Sequence, residues 1–186
     1  STINGDWTGA TGLRLFGNLS QLSLLSLKAG EVNSNPEVLD TQQFISLRDK
    51  WKQQLITENY DSNNAPLVKY VNTLSKNAQT LYQSMNRSPD RKELWRLKAG
   101  DTPSANLTTQ FSNLYLLSQA YGTKGTDYYL NPELLADIQS GLDFMVSQKG
   151  YDGQKYYGNW WDWQVGIPQK FIGSLIILGD KLPSDK

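Results

Sequence analysis

Apolar residues recur along the chain at two different periods, and the change falls near residue 40. Before it, Leu13, Leu15, Leu22, Leu24 and Leu27 sit in partly alternating runs around the turn-like pair Gly17-Asn18. That spacing predicts a short β-like or extended segment. Gly30 and the polar run Asn33-Ser34-Asn35-Pro36 read as a linker. Residues 1–40 are therefore an N-terminal extension, either the tail of a preceding module or an arm lying on the next domain. The arm is preferred, because about thirty residues cannot enclose a core alone.

From residue 41 the period is helical. Asp40 or Thr41 can cap a helix whose Phe44, Leu47, Trp51 and Leu55 fall on one face, since side chains three and four positions apart are neighbours on a helix. Asp61-Ser62-Asn63-Asn64 breaks it. A second helix runs from Ala65-Pro66 to about Met85, with Leu67, Val71, Leu74, Ala78, Leu81 and Met85 as its stripe. Ser88-Pro89-Asp90 repeats the pairing of a capping residue with proline and predicts a short helix carrying Leu94, Trp95 and Leu97. After Gly100-Asp101-Thr102-Pro103 comes a helix with Leu107, Phe111, Leu114, Tyr115, Ser118 and Tyr121, stopped by Gly122. Asn131-Pro132-Glu133 opens the next, with Leu134, Leu135, Ile138, Leu142 and Met145, and Gly150 suits its C-terminal end. Phe171 to Leu178 reads as a final apolar helix, started by Pro168. Short turns between such helices imply antiparallel neighbours, so residues 41–186 form an all-α domain built of helical hairpins.

Charge and composition narrow the function by exclusion. Lys+Arg and Asp+Glu are both 18, so no basic field draws nucleic acid or an anionic membrane. The longest apolar run is too short for a bilayer span. The chain opens on polar Ser1-Thr2-Ile3-Asn4-Gly5 with no visible signal peptide. It contains no Cys, hence no disulfide framework or thiolate chemistry. It contains no His either, which removes the commonest acid–base group and the commonest metal ligand. Neither a cofactor nor a metal is expected.

The chemistry concentrates in Gly158-Asn159-Trp160-Trp161-Asp162-Trp163-Gln164-Val165-Gly166-Ile167-Pro168, where three of the six tryptophans lie within four residues. Tyr151, Tyr156 and Tyr157 precede them. On a helix positions 160, 161 and 163 point in different directions, so one core cannot absorb all three indoles. At least one faces a cleft or solvent. An indole covers the apolar C–H face of a sugar ring at low entropic cost, and Asn159 beside it offers donors and an acceptor for hydroxyl or carboxylate groups. Asp162 has three open roles: orienting Asn159, capping the following turn, or pairing with a base. With Pro168 starting the last helix, the motif is expected at a helix mouth, a usual place for polar recognition groups.

This eleven-residue string resembles the Asn-Trp-Trp segment of polysaccharide lyase family 8, enzymes acting on hyaluronan, chondroitin and xanthan. Phe44 to Leu55, Arg91 to Leu97 and Ser104-Ala105-Asn106-Leu107-Thr108 are similar to the start of the family's catalytic domain, so the resemblance covers roughly residues 41–186. It implies an incomplete α/α toroid followed by β-sandwich domains. Trp160 and Trp161 would form the aromatic patch that positions the sugar chain, with Asn159 as a neighbouring polar contact. It also implies secretion and β-elimination at a uronic acid. There an Asn neutralises the carboxylate, which acidifies the neighbouring C–H, while a His and a Tyr serve as base and acid.

No His is present to carry that role, and the family's catalytic Asn, His and Tyr lie further along than this sequence extends. The expectation is an N-terminal portion of such a lyase, partnered by the remainder of the parent chain and by an acidic polysaccharide, and inactive alone. Two other readings compete: a non-catalytic helical carbohydrate-binding module, and a small hydrolase using Asp162 and Asp152 as its carboxylates. Lys149, Lys155 and Lys170 flank the motif, as either cleft cations or solvated surface.

Overall fold

The computed structural model describes residues 41–149, 151 and 156–182. The expected extended segment within residues 1–40, Gly150, Asp152 and Lys155 lie outside the described residues. Among those described the secondary structure is entirely helical: α1 Thr41–Leu55, α2 Ala65–Ser84, α3 Pro103–Gly122, α4 Pro132–Ser147 and α5 Ile167–Leu178. A π-helical turn, Asp162–Gly166, leads into α5, and a 3₁₀ turn, Gly179–Lys181, follows it.

Three of these helices start by one device. Asn64, Thr102 and Asn131 accept hydrogen bonds through their side chains from the backbone N–H of Leu67, Ala105 and Leu134. Each is followed within two residues by proline, which has no N–H to leave unsatisfied in the first turn. The same signal at Ser88-Pro89-Asp90 does not make a helix. Residues 85–102 are an irregular segment, because long-range partners claim their backbone. The N–H of Asn86 donates to the carbonyl of Leu94 (2.8 Å), and the N–H of Leu94 donates to Oε1 of Gln110 on α3 (2.8 Å). The indole of Trp95 donates to the Leu81 carbonyl (2.9 Å). Ser88 spends its hydroxyl on the Asp90 carboxylate instead of on a helix N-terminus.

The centre of the molecule is α3. Leu107, Phe111, Leu114, Leu117 and Ala120 are all but sealed from solvent, and α2, α4 and α5 pack around them. Of the polar groups buried with them, the Ser118 hydroxyl donates to the Leu114 carbonyl, and Gln110 both accepts from Leu94 and donates to Glu93; the buried Thr123 hydroxyl at the end of α3 has no partner among the described residues. Helix α4 runs antiparallel to α3, as the short connection predicts. The N–H of Leu130, just before α4, bonds to the Tyr121 carbonyl, while Gly141 in its middle meets Leu114. Helix α5 instead runs parallel to α3, with Gly166 against Thr108, Gly173 against Tyr115 and Ile177 against Gly122.

Helix α1 departs from its expected face. Phe44, Arg48, Lys52 and Leu55 are half-buried and Ile56 is buried, while Leu47 and Trp51 stand about half exposed, at 56% and 49%. The helix lies on α5 along a line rotated away from the most apolar stripe.

The tether at Gln110 is testable. Gln110→Leu strips the buried Leu94 N–H of its acceptor and Glu93 of one of its two donors, and is expected to cost about 1–3 kcal/mol. In urea unfolding the midpoint falls while the slope stays constant; an unchanged midpoint would show that the 85–102 segment does not depend on this residue.

Candidate functional site

The tryptophan stretch begins a helix about eight residues earlier than Pro168 suggests. Trp160 and Trp161 are already helical and run without interruption through the π turn into α5. Asn159 is the cap. Its Oδ1 accepts the Trp161 N–H at 3.1 Å, and its own N–H donates to Oγ of buried Ser104 at 3.1 Å. Gly158, at φ +71°, turns the chain where a Cβ would fall 2.4 Å from that same Ser104 oxygen, so only glycine fits. Among the described residues the Nδ2 donors of exposed Asn159 have no partner.

Proline inside the helix has a visible accommodation. It lacks an N–H and crowds the carbonyl four residues back. The turn immediately upstream is widened, the N–H of Ile167 reaching the carbonyl of Asp162, five residues before it.

The three indoles separate as their directions require. Trp163 is 3% exposed. Its Nε1 donates to the Tyr157 carbonyl at 2.6 Å, Tyr151 stacks on it at 5.7 Å, and Tyr156 and Tyr157 meet it edge-on. Trp160 and Trp161 are 64% and 45% exposed. With the exposed Tyr156, Tyr157 and Val165 they give the outer side of this segment a largely apolar, aromatic surface. Two depressions among the described residues lie elsewhere, over Ala65–Lys76 of α2 and between α1 and the C-terminal ends of α3 and α5.

Asp162 takes none of the roles left open for it. It is 5% exposed, and Oδ1 accepts the Thr108 hydroxyl at 2.8 Å. That removes it as an acid or base facing substrate, and the two-carboxylate hydrolase loses its better-placed member. Of the flanking lysines, Lys149 is paired with Glu93, which also receives Gln110. Lys170 sits one turn beyond Gly166, with its ammonium 5.2 Å from the centre of the Tyr115 ring, and makes no ion pair among the described residues. The roles of Ser104, Thr108 and Gly166 at this site carry no signal in the sequence; only the packing of α5 on α3 brings them there.

Two outcomes follow from this partition. Trp163→Ala is expected to destabilise the fold by about 3–5 kcal/mol, as removal of a buried aromatic does, whereas Trp160→Ala stays within about 0.5 kcal/mol; chemical denaturation of the two variants separates them. Burial first, and then the neighbouring Tyr156, pushes the Tyr151 hydroxyl from 10.0 up to about 12. A raised folded value leaves its contribution to stability intact below the unfolded value near 10 and removes it as pH climbs toward 12. Unfolding free energy should therefore fall between about pH 10 and pH 12, and fall less in Tyr151→Phe.

With that geometry in place, relatives can be compared. The family model for "Polysaccharide lyase family 8, N terminal alpha-helical domain" matches residues 51–186. The chain is 53% identical over 186 residues to Hyaluronate lyase HylB of Enterococcus faecalis, a match covering all of this chain and 18% of that protein. Among solved structures, Paenibacillus xanthan lyase aligns with a TM-score of 0.72 and 33% identity over 77% of this chain and 14% of that one. The chondroitin AC lyase of Streptomyces coelicolor A3, solved in complex with chondroitin sulphate, gives a TM-score of 0.66 and 30% identity over 77% of this chain and 19% of that one. The chain thus spans less than a fifth of the length of each of these three proteins. Two solved lyases share its helical arrangement and a family model covers most of its length: the chain belongs to polysaccharide lyase family 8.

Proposed function

We propose that this chain supplies the sugar-positioning surface of a lyase that cleaves an acidic polysaccharide by β-elimination. Trp160 and Trp161 are the aromatic platform and Asn159 the polar contact at its edge. The observation that carries this reading is the separation of the indoles. Trp163 is consumed by the core, while its two neighbours are held in solvent at the head of a capped helix. Exposing two adjacent tryptophans forgoes the stabilisation that their burial would bring, so a surface of this kind is expected to meet a ligand. Sugar rings suit it, because their apolar faces stack on indoles while their hydroxyls reach the free Nδ2 of Asn159.

The polymer we favour is acidic: hyaluronan, chondroitin or xanthan, the polymers after which the similar lyases are named. Lys170, unpaired among the described residues, supplies a positive charge near the platform, although the chain as a whole is neutral. The parallel pair α3 and α5, with α4 antiparallel, fits stacked helical hairpins, and we read it as part of an incomplete α/α toroid. Elimination needs a group to take the proton beside the carboxylate. Without His, this chain is assigned binding and no catalysis of its own; base and acid come from the remainder of the parent lyase. Polymers of this kind are met outside the cell, which is where we place the protein.

The test is a tryptophan-fluorescence titration of this chain with hyaluronan, chondroitin and xanthan oligosaccharides, alongside Trp160→Ala and Trp161→Ala. The expected result is a saturable change with at least one acidic sugar, weakened in both variants while their unfolding midpoints stay near that of the parent. Binding that survives loss of both indoles would sink the platform. Product formation by the chain alone would sink the division of labour.

A further inference from the structure

Trp160 and Trp161 are neighbours in sequence and unequal in structure. The indole of Trp161 lies over Gly166, five residues on, so close that a Cβ there would fall 2.6 Å from Cζ3 and 3.2 Å from Cε3 of its ring. That Cβ would also meet Cγ2 of Thr108 at 3.2 Å. A widened turn places residue i+5 roughly beneath residue i, where an ordinary α-helix would place i+4. Here the π turn therefore puts Gly166, rather than Val165, under the indole. The same turn is anchored to α3 through buried Asp162, which accepts the Thr108 hydroxyl at 2.8 Å. The Trp160 ring is the more exposed of the two, at 64% against 45%.

We infer that Gly166, Thr108 and Asp162 are positioning residues for the platform, fixing Trp161 as a rigid wall and leaving Trp160 as the adaptable one. A side chain already held in its bound orientation loses less freedom when a ligand arrives, so Trp161 carries the larger share of the affinity. This rests on the reading of the tryptophans as a sugar platform. It adds that the π turn, through residues that never touch the sugar, sets how tightly the sugar is held.

A double-mutant cycle tests it with four chains: the parent, Gly166→Ala, Trp161→Ala and the double variant. Calorimetric titration uses whichever of the hyaluronan, chondroitin or xanthan oligosaccharides the parent binds. Gly166→Ala is expected to weaken binding about tenfold when Trp161 is present and to change it little when Trp161 is absent, the signature of two coupled residues. Gly166→Ala/Trp161→Phe, whose smaller ring clears the new methyl, should recover part of the loss. An equal effect of Gly166→Ala in both backgrounds would overturn the inference, since the glycine would then act through the fold at large. The same cycle read by near-ultraviolet circular dichroism needs no sugar. There Gly166→Ala should alter the tryptophan signal only where Trp161 is present, and an unaltered signal overturns the seating itself. If no oligosaccharide binds the parent, the functional reading fails, while the spectroscopic cycle still decides the seating. Should Gly166→Ala not fold, Thr108→Val takes its place. It keeps the methyl packing and removes the hydroxyl bond to Asp162, and the same dependence on Trp161 is expected.

Discussion

The structure depends on how closely α5 lies along α3. At three levels a glycine on one helix receives a side chain from the other: Gly166 with Thr108, Gly173 with Tyr115, and Gly122 with Ile177. Positions 108, 115 and 122 are seven apart, as are 166 and 173, a spacing that keeps a seam between helices nearly in register. A Cβ would meet Tyr115 at 2.5 Å from Gly173, Ile177 at 2.9 Å from Gly122 and Thr108 at 3.2 Å from Gly166. The approach therefore requires glycine, and the packing it permits offsets glycine's weak helix propensity. Phe171, Ile176 and Ile177 are buried on α5 as a result, and α1 docks onto the same helix.

The same seam carries the surface proposed to bind sugar. Residues 158–166 are tied to α3 by the bonds from Asn159 and Asp162 to Ser104 and Thr108. Behind them Trp163 is locked among Tyr151, Tyr156 and Tyr157. A buried aromatic cluster thus supports an exposed one. The exposed pair does not have to fold anything, which leaves it available for a ligand, and a rigid backing is what lets a flat aromatic surface bind with little loss of freedom.

Local signals succeeded where nothing distant competed with them. The cap and proline pairs at Asn64, Thr102 and Asn131 all start helices, since their bonds close within one turn. The pair at Ser88 fails because Gln110, sixteen residues beyond Leu94, captures the backbone N–H that a helix would have used. Periodicity assigned α1 correctly as a helix but only half of its covered face: Phe44 and Leu55 are half-buried, Leu47 and Trp51 are not. Which stripe is covered depends on the neighbour that arrives, and α5 meets α1 along the line of Arg48 and Lys52, beside Leu47 and Trp51.

By itself the sequence determined that the chain is helical from residue 41, that three indoles pointing in different directions cannot share one core, and which family the Asn-Trp-Trp string resembles. These follow from period, side-chain direction and a specific local pattern, all properties of short range. Tertiary structure alone decided which indole is buried, that Asp162 is a buried anchor rather than an exposed acid, and that a widened turn seats Trp161 on Gly166. Each of those depends on α3, some fifty residues away in sequence, whose Ser104 and Thr108 hydroxyls meet the motif only after the two helices have packed side by side.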